Sequence, residues 1–522
     1  MLGLRGPLAL LIPAVLLGLL FLPGQGPEPA ANPPPVHIDL RREKEAIQSL
    51  SDAIRCPTVG SETASNHISN PGPFQRLHET LETHYPALWR TLTVEKVSTY
   101  SLLFTWPGSD PSLRPVMLYS HQDVVPAPPT NWTHPPFSGA VEGGFVWGRG
   151  TLDTKGSLVA ILEALEQLRG SGWRPLRTVL FVAGHDEEVG GGEGAGRVAA
   201  LLAARHGALE LLLDEGGFVL GDGLGAGAGA LLPPLRVAVL GLAEKGTATW
   251  DLGVEGRGGH SSLAPPAGTT TTALTARLVA ALDAQRLPSR LQSPTLDFLK
   301  ALAPYAKARP LGLLLSHAGH PVLSPLLARL MSGSTVLNSM VQTVRGVVGV
   351  VTGGLAHNVL PTHGNVTVNF RTLQGDGEAE VAAYLDQVSR PLGKHVTRTQ
   401  RPGTRAPSQV TPAHGPRFDL VRRAVLETLA APRGAGDAEA EASPPLPLIV
   451  VPYLVSGATD SRHFQGLAAG RTFRFEPFAL DNSDVPRIHG VDERIAIPTF
   501  LDGIRFYTRF IQLSAGEEGR AM

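Results

Sequence analysis

The chain has 522 residues, 43% of them hydrophobic, enough for two domains and a large core. Its formal net charge is −1 and its basic residues form no long cluster, which excludes the electrostatic footprint of a nucleic-acid binder. The single cysteine, Cys56, excludes an internal disulfide and any cysteine-rich zinc finger, so a metal site must be built from histidine and carboxylate.

At the N-terminus, Arg5 precedes an apolar run from Leu8 to Leu22 and then small, turn-forming residues. This reads as a secretory signal peptide over residues 1–26, because the run is shorter than the roughly 20 residues of a spanning helix. A signal anchor retained in the endomembrane system is the alternative. The sequons Asn131-Trp132-Thr133 and Asn365-Val366-Thr367 fit a secreted glycoprotein. A proline-rich linker closes at Pro35, and the spacing of residues 39–54 predicts the first helix of the mature fold.

Between residues 37 and 243, apolar β-rich runs at 115–120, 178–184, 209–213 and 237–242 alternate with helical segments. In the helix predicted over 153–168, Asp153 caps the stripe of Leu158, Ile161, Leu162 and Leu165. Such alternation predicts an α/β sheet with its sites at strand ends. Directly after the run 178–184, Glu187 and Glu188 stand side by side; like charges in contact repel, and a nearby cation would stabilise both.

The pattern changes at 244–404, where strands at 248–254 and 365–373 and helices at 269–283 and 378–388 predict a smaller α+β domain, with hinges near 244–246 and 402–403. An apolar, proline-broken insertion at 287–344 reads as helices packed on that domain; a hydrophobic substrate groove, or contact with a lipoprotein or membrane surface, is the alternative. The α/β character returns from 405 to 516. Segments 221–234 and 430–445 read as mobile surface loops, and Cys56 as a buried free thiol.

Five places carry the residue types of a two-metal hydrolase at strand or helix ends. They are His121 and Asp123 in SHQDVVP, Asp153 in GRGTLDTKG, Glu187 and Glu188 in GHDEE, Asp214 in LLLDEGG, and His489 in RIHGVDE. Taken singly, each also reads as a cap or a solvated turn. Taken jointly, HxD, GRGxxDxKG, DEE, DEGG and the late HG resemble the M20 metallopeptidase family of co-catalytic zinc hydrolases, over residues 40 to 512. Through SDPSL, VVPAP, PPFSG, GHSS and TVNFR the chain is most similar to its carboxypeptidase S-like branch, which includes secreted N-fatty-acyl-amino-acid synthase/hydrolases.

The resemblance implies a zinc-exopeptidase-like catalytic domain, a mixed sheet flanked by helices, built from 37–243 and 405–516 with a lid at 244–404. It also implies two Zn²⁺ per subunit, one on His121 and Asp214, the other on Glu188 and His489, with Asp153 bridging. Nitrogen and carboxylate oxygen suit zinc, although cobalt or manganese would accept the same set. Asp123 would accept the other N–H of His121, and Glu187 would act as general base. His260 in GRGGHSS would polarise the scissile carbonyl; Asn358 in HNVLP and Arg371 in VNFR would bind the substrate carboxylate, with Arg462 in GATDSRHF a further candidate. Thr154 stands where the family often has another acidic residue.

The implied activity is cleavage, and reversible formation, of N-fatty-acyl amino acids from fatty acid and free amino acid. A secreted or vacuolar-type carboxypeptidase or dipeptidase with the same metals is the second reading. A non-catalytic metal-dependent carrier is the third.

Overall fold

Three short strands, β3 (Val116–His121), β4 (Val179–Gly184) and β5 (Leu211–Asp214), lie parallel with every residue buried. Continuous apolar runs of this kind are dictated by helices covering both faces of a sheet. In the computed structural model, which describes residues 31–522 apart from 226–227, 264, 335–336, 355 and 431–445, these strands form the centre of a 10-stranded mixed sheet. The expected signal segment lies outside the described residues, as does nearly all of 430–445.

The sheet adds β1 (Thr93–Val97) and β2 (Ser101–Trp106) beyond β4, both antiparallel. On its other side, β6 (Val219–Leu220) and β7 (Arg236–Glu244) join a later return of the chain through β12 (Leu448–Val455), β13 (Thr472–Arg474) and β14 (Ala479–Leu480). Alternation along each strand sorts the core into two layers. Leu118, Phe181 and Leu213 face helices α1 (Glu43–Ile54), α2 (Lys155–Gly170), α9 (Pro416–Leu429) and α10 (Ile497–Ala515). Met117, Leu180 and Leu212 face α3 (Ala195–His206) and Phe464.

Only Lys245 separates β7 from β8 (Gly246–Glu255), where the chain enters a second, four-stranded antiparallel sheet. Its order is β9 (Val344–Gly353), β10 (His363–Thr372), β8, β11 (Val396–Gln400). Inward residues Trp250, Leu252, Val366, Val368 and Phe370 pack on α4 (Thr271–Ala284) and α8 (Glu378–Ser389). Asn365 sits within β10 with its amide donating to Asp251 and Thr367, whereas Asn131 is exposed in a left-handed turn (φ 68°).

The insertion departs from expectation. Helices α5 (Thr295–Leu302), α6 (Arg309–Ser316) and α7 (Leu323–Met331) turn Phe298, Leu299, Leu302, Leu327 and Met331 onto Val237, Val239, Ile449 and Val451 of the large sheet, not onto the small domain. The outer face of β7 and β12 is an apolar ladder that would otherwise meet water, and burial of those side chains drives the docking. Leu232 and Leu235 join the same cluster, so the segment expected to be a mobile loop at 221–234 anchors at its end. Cys56 is free and buried, its Sγ 3.7 Å from the Asp52 carbonyl.

Helix α2 begins at Lys155, two residues after the expected cap, and Asp153 stays outside it. Leu162, at the middle of α2, is fully buried against the sheet. Truncation to Leu162→Ala is expected to lower stability by about 2 to 5 kcal/mol, measured by denaturant unfolding; a change under about 1 kcal/mol would show that the core collapses freely around the gap.

Candidate active site

The carboxyl ends of the central parallel strands deliver the site, as a doubly wound topology requires. His121 ends β3, Glu187 and Glu188 follow β4 in a short 3-10 turn, and Glu215 follows β5. Asp153 comes from the loop before α2, and His489 from a loop near the C-terminus, in the left-handed region (φ 60°). The glycines after the acidic doublet serve close approach: Gly191 has φ 66°, and a Cβ there would meet an Asp460 oxygen at 1.8 Å.

One carboxylate faces two imidazoles. Asp153 Oδ1 lies 3.0 Å from His121 Nε2, and its Oδ2 lies 2.9 Å from His489 Nε2. Around this axis Glu215 Oε1 approaches His121 Nε2 at 3.5 Å, and Glu188 Oε1 approaches His489 Nε2 at 3.0 Å. Ligand atoms of His121, Asp153 and Glu188 all fall within 4.8 Å of one another, as do those of His121, Glu187 and Glu215. His121 Nδ1 donates to the Asp123 carbonyl at 2.9 Å, and since a carbonyl only accepts, the lone pair is left on Nε2. That lone pair points at carboxylates, a repulsive arrangement relieved by a proton or a metal ion; the donor set fits zinc.

Asp214 is not part of this cluster. Successive residues of a strand point to opposite faces, and Asp214 turns to Thr459, whose hydroxyl donates at 2.7 Å, and to the Ser461 amide at 2.8 Å. Glu215, the next residue and absent from the expected set, occupies the place by His121. Asp123 contributes mainly its carbonyl to His121, its Oδ1 standing 3.4 Å away. The carboxylate instead accepts the backbone N–H of Glu187 at 3.1 Å and of Glu188 at 3.0 Å, fixing the doublet. Thr154, also buried, bonds to Ser120. His185 donates or accepts at Ser101 through Nδ1, beneath the same loop.

Arg462 Nη1 lies 3.4 Å from Glu187 Oε1, while Nη2 bonds to Asp460 at 3.3 Å. It therefore orients Glu187 and is occupied by two acids. His260 lies on the two-stranded ribbon of the small domain, opposite Val359, and Asn358 directly precedes the ribbon's second strand, its carbonyl accepting the Ser261 N–H. The Ser262 N–H donates to His260 Nδ1 at 3.2 Å, which puts the ring proton on Nε2. Arg371 lies across from Thr247 on β10. Among the described residues no hydrogen bond or ion pair joins His260, Asn358 or Arg371 to the acidic cluster. A recess of about 390 Å³ lies beside Arg462, lined also by Glu244, Lys245, Thr247, Arg405 and His463.

Burial pushes the carboxyls of Glu187 and Glu215 well above the usual range, and raises Glu188 and Asp214 as well. Hydrogen bonds to Asp153 and Glu188 raise His489 to about 10. Burial also lifts Asp460 and Glu163 to about 7 and Glu476 to about 8. An acid raised in the folded state holds protons that the unfolded chain has released, so its stabilisation is complete below the unfolded pKa and lost as pH rises through the folded one. His78, lowered to about 4 by burial, works in the opposite direction but only below its ordinary value of 6.5. The metal-free protein is therefore expected to melt at falling temperature from pH 6.5 to 8, with zinc reducing the slope. A melting temperature that climbs across this window would contradict the assignment.

Residues 117–513 match the model of peptidase family M20/M25/M40. The chain is 33% identical to N-fatty-acyl-amino acid synthase/hydrolase PM20D1 of Mus musculus over 477 residues, covering 90% of this chain and 88% of that protein. It is 30% identical to probable carboxypeptidase S-like 2 of Dictyostelium discoideum over 492 residues, covering 92% and 87%. Its fold is similar to that of the M20 family metallo-carboxypeptidase Sso-CP2 from Sulfolobus solfataricus, with a TM-score of 0.62 and 17% identity over 90% of this chain and 99% of that one. By the length of the family match and the identity to these relatives, the chain belongs to the M20/M25/M40 peptidase family.

Proposed function

We propose that the chain is a secreted, zinc-dependent amidohydrolase that cleaves, and in reverse forms, the amide between a fatty-acyl group and an amino acid. The carrying observation is Asp153, whose two oxygens face two imidazoles at 3.0 and 2.9 Å beside a general base clamped by Asp123 and Arg462. His121, Asp153 and Glu215 would hold one zinc; Asp153, Glu188 and His489 would hold the other. When bound, the pair supplies Lewis acidity and makes water in the site more acidic.

The remaining work belongs to side chains. Glu187, 11% exposed and held by Arg462, takes a proton from the attacking water and passes it to the leaving nitrogen. His260 offers its Nε2–H to the oxygen of the scissile carbonyl as negative charge develops there. Asn358 and Arg371 receive the substrate carboxylate, with the recess beside Arg462 leaving room for the amino acid. Bringing these small-domain groups over the cluster requires closure, with the single linking residue Lys245 and the return near 402–403 as hinges. Arg462, engaged by Glu187 and Asp460, serves orientation in this reading and leaves the carboxylate to Arg371.

The fatty-acyl preference rests on similarity to the Mus musculus protein. The buried apolar residues of α5–α7 are engaged with the large sheet, which removes their core as an acyl groove and keeps a carboxypeptidase as the second reading. Incubating the zinc-loaded protein with an N-oleoyl amino acid and, separately, an N-blocked dipeptide decides between them. Faster release of amino acid from the lipid amide is expected, and preference for the dipeptide would make the protein a carboxypeptidase. Glu187→Gln is expected to lower kcat by roughly 100- to 10,000-fold with zinc content unchanged. Retained turnover in that variant would remove Glu187 from the base role, and a wild type that binds N-oleoyl amino acid without turnover would identify a carrier.

A further inference from the structure

His489 is the outlier among the proposed ligands. The others are tied to strand ends or to the start of α2, whereas His489 is half exposed, in a left-handed backbone conformation, in a loop that follows a single 3-10 turn (Val485–Arg487) and reaches no strand or α-helix until residue 494. Something must hold that loop against Asp153. Four residues on, Glu493 is fully buried. Its Oε1 accepts three backbone N–H groups of the Asp153 loop: Gly150 at 3.0 Å, Leu152 at 2.8 Å and Asp153 itself at 3.2 Å. Its Oε2 pairs with Arg149, which is also buried, and Arg149 Nη2 reaches across to the Gly490 carbonyl at 3.0 Å. The Glu493 carbonyl accepts Gly148 N–H at 2.8 Å, completing the circuit.

Backbone N–H groups converging on one oxygen make a cradle for an anion, and here the anion is part of the chain. A buried carboxylate with this many partners holds its place firmly, so one rigid connection runs from the amide of Asp153 through Glu493 and Arg149 to the residue after His489. We propose that Glu493 is a positioning residue: it locks the Asp153 loop to the His489 loop, and the half-site made by His489, Asp153 and Glu188 persists only while that lock is closed. The inference rests on the metal reading given above, and predicts a local effect that general loss of packing would not produce.

The test starts from metal-stripped protein and measures zinc affinity and stoichiometry by competition with a chelator, together with amide hydrogen exchange in the metal-free state. Glu493→Ala is expected to weaken the second zinc by about 10- to 100-fold and to speed exchange at Gly150, Leu152 and Asp153. Glu493→Gln, which keeps an accepting oxygen but loses the charge facing Arg149, is expected to fall between, and it carries the test alone if the alanine variant does not fold. Glu427→Ala is the control: Glu427 is a buried acid paired with Arg423 and Arg509, and its loss should lower stability while leaving zinc affinity and those three amides unchanged. Wild-type zinc affinity and exchange in both Glu493 variants would overturn the proposal, as would an equal loss of zinc in the control. If the wild type itself binds no zinc, the metal reading fails, and exchange at the three amides still decides whether Glu493 locks the two loops.

Discussion

The site is a problem of unbalanced charge. Asp153, Glu187, Glu188 and Glu215 converge within reach of only two imidazoles, with burial stripping the water that would otherwise screen them. Buried charge is tolerated when it is paired or coordinates a metal. Arg462 balances Glu187 and Asp460 only in part, and in the metal-free molecule the remainder is met by raised carboxyl pKa values and by protons on His121 and His489. Everything around the cluster can be read as the means of holding these groups together against their repulsion. The parallel strands fix their roots, the Asp123 carboxylate pins the doublet through two amides, and the Asp123 carbonyl orients His121.

Much of this was legible in sequence because it follows from period and spacing. Buried runs bounded by turn formers marked β3, β4 and β5, and the chemistry-bearing residues followed their ends. The strand-helix alternation before 243 and after 405, with a differently patterned segment between, foreshadowed the two sheets. What failed to read was finer than an element boundary. Asp214 and Glu215 are neighbours in DEGG, and which of them faces His121 depends on the register in which β5 pairs within the sheet; nothing local to the sequence fixes that register. Asp123 likewise carried a family-like spacing from His121, but its carboxylate serves backbone amides sixty-odd positions away, a long-range contact without a sequence signature.

The insertion shows a different limit. Its apolar content was plain, but hydrophobic residues say only that they will be buried, not against what. The partner is the outer face of β7 and β12, one of whose strands lies more than a hundred residues downstream, at 448–455. Once that face is recognised as apolar on both sides, the helices have a place to go. The small domain has already filled its own core with α4 and α8. The consequence for specificity is direct: side chains committed to packing are unavailable to a substrate, so selection of the acyl side must come from other surfaces.

The two-sheet arrangement also separates two demands that conflict within one rigid body. Holding four acids together needs a stiff, fully buried scaffold, whereas admitting and releasing substrate needs groups that can withdraw. Here the crowded carboxylates all root in the large sheet or its loops. Of the neutral and cationic groups suited to polarising a carbonyl or taking up a carboxylate, Arg371 stands on the small sheet, and His260 and Asn358 at the separate two-stranded ribbon. Lys245 alone links β7 to β8, and it is no loose tether: its ammonium donates to the carbonyls of Ser339 and Gln342 at 2.8 and 2.7 Å. Motion at this joint must therefore carry those carbonyls with it or break both bonds. That couples the position of the small sheet to the segment preceding β9, a constraint that the closure proposed above would have to meet.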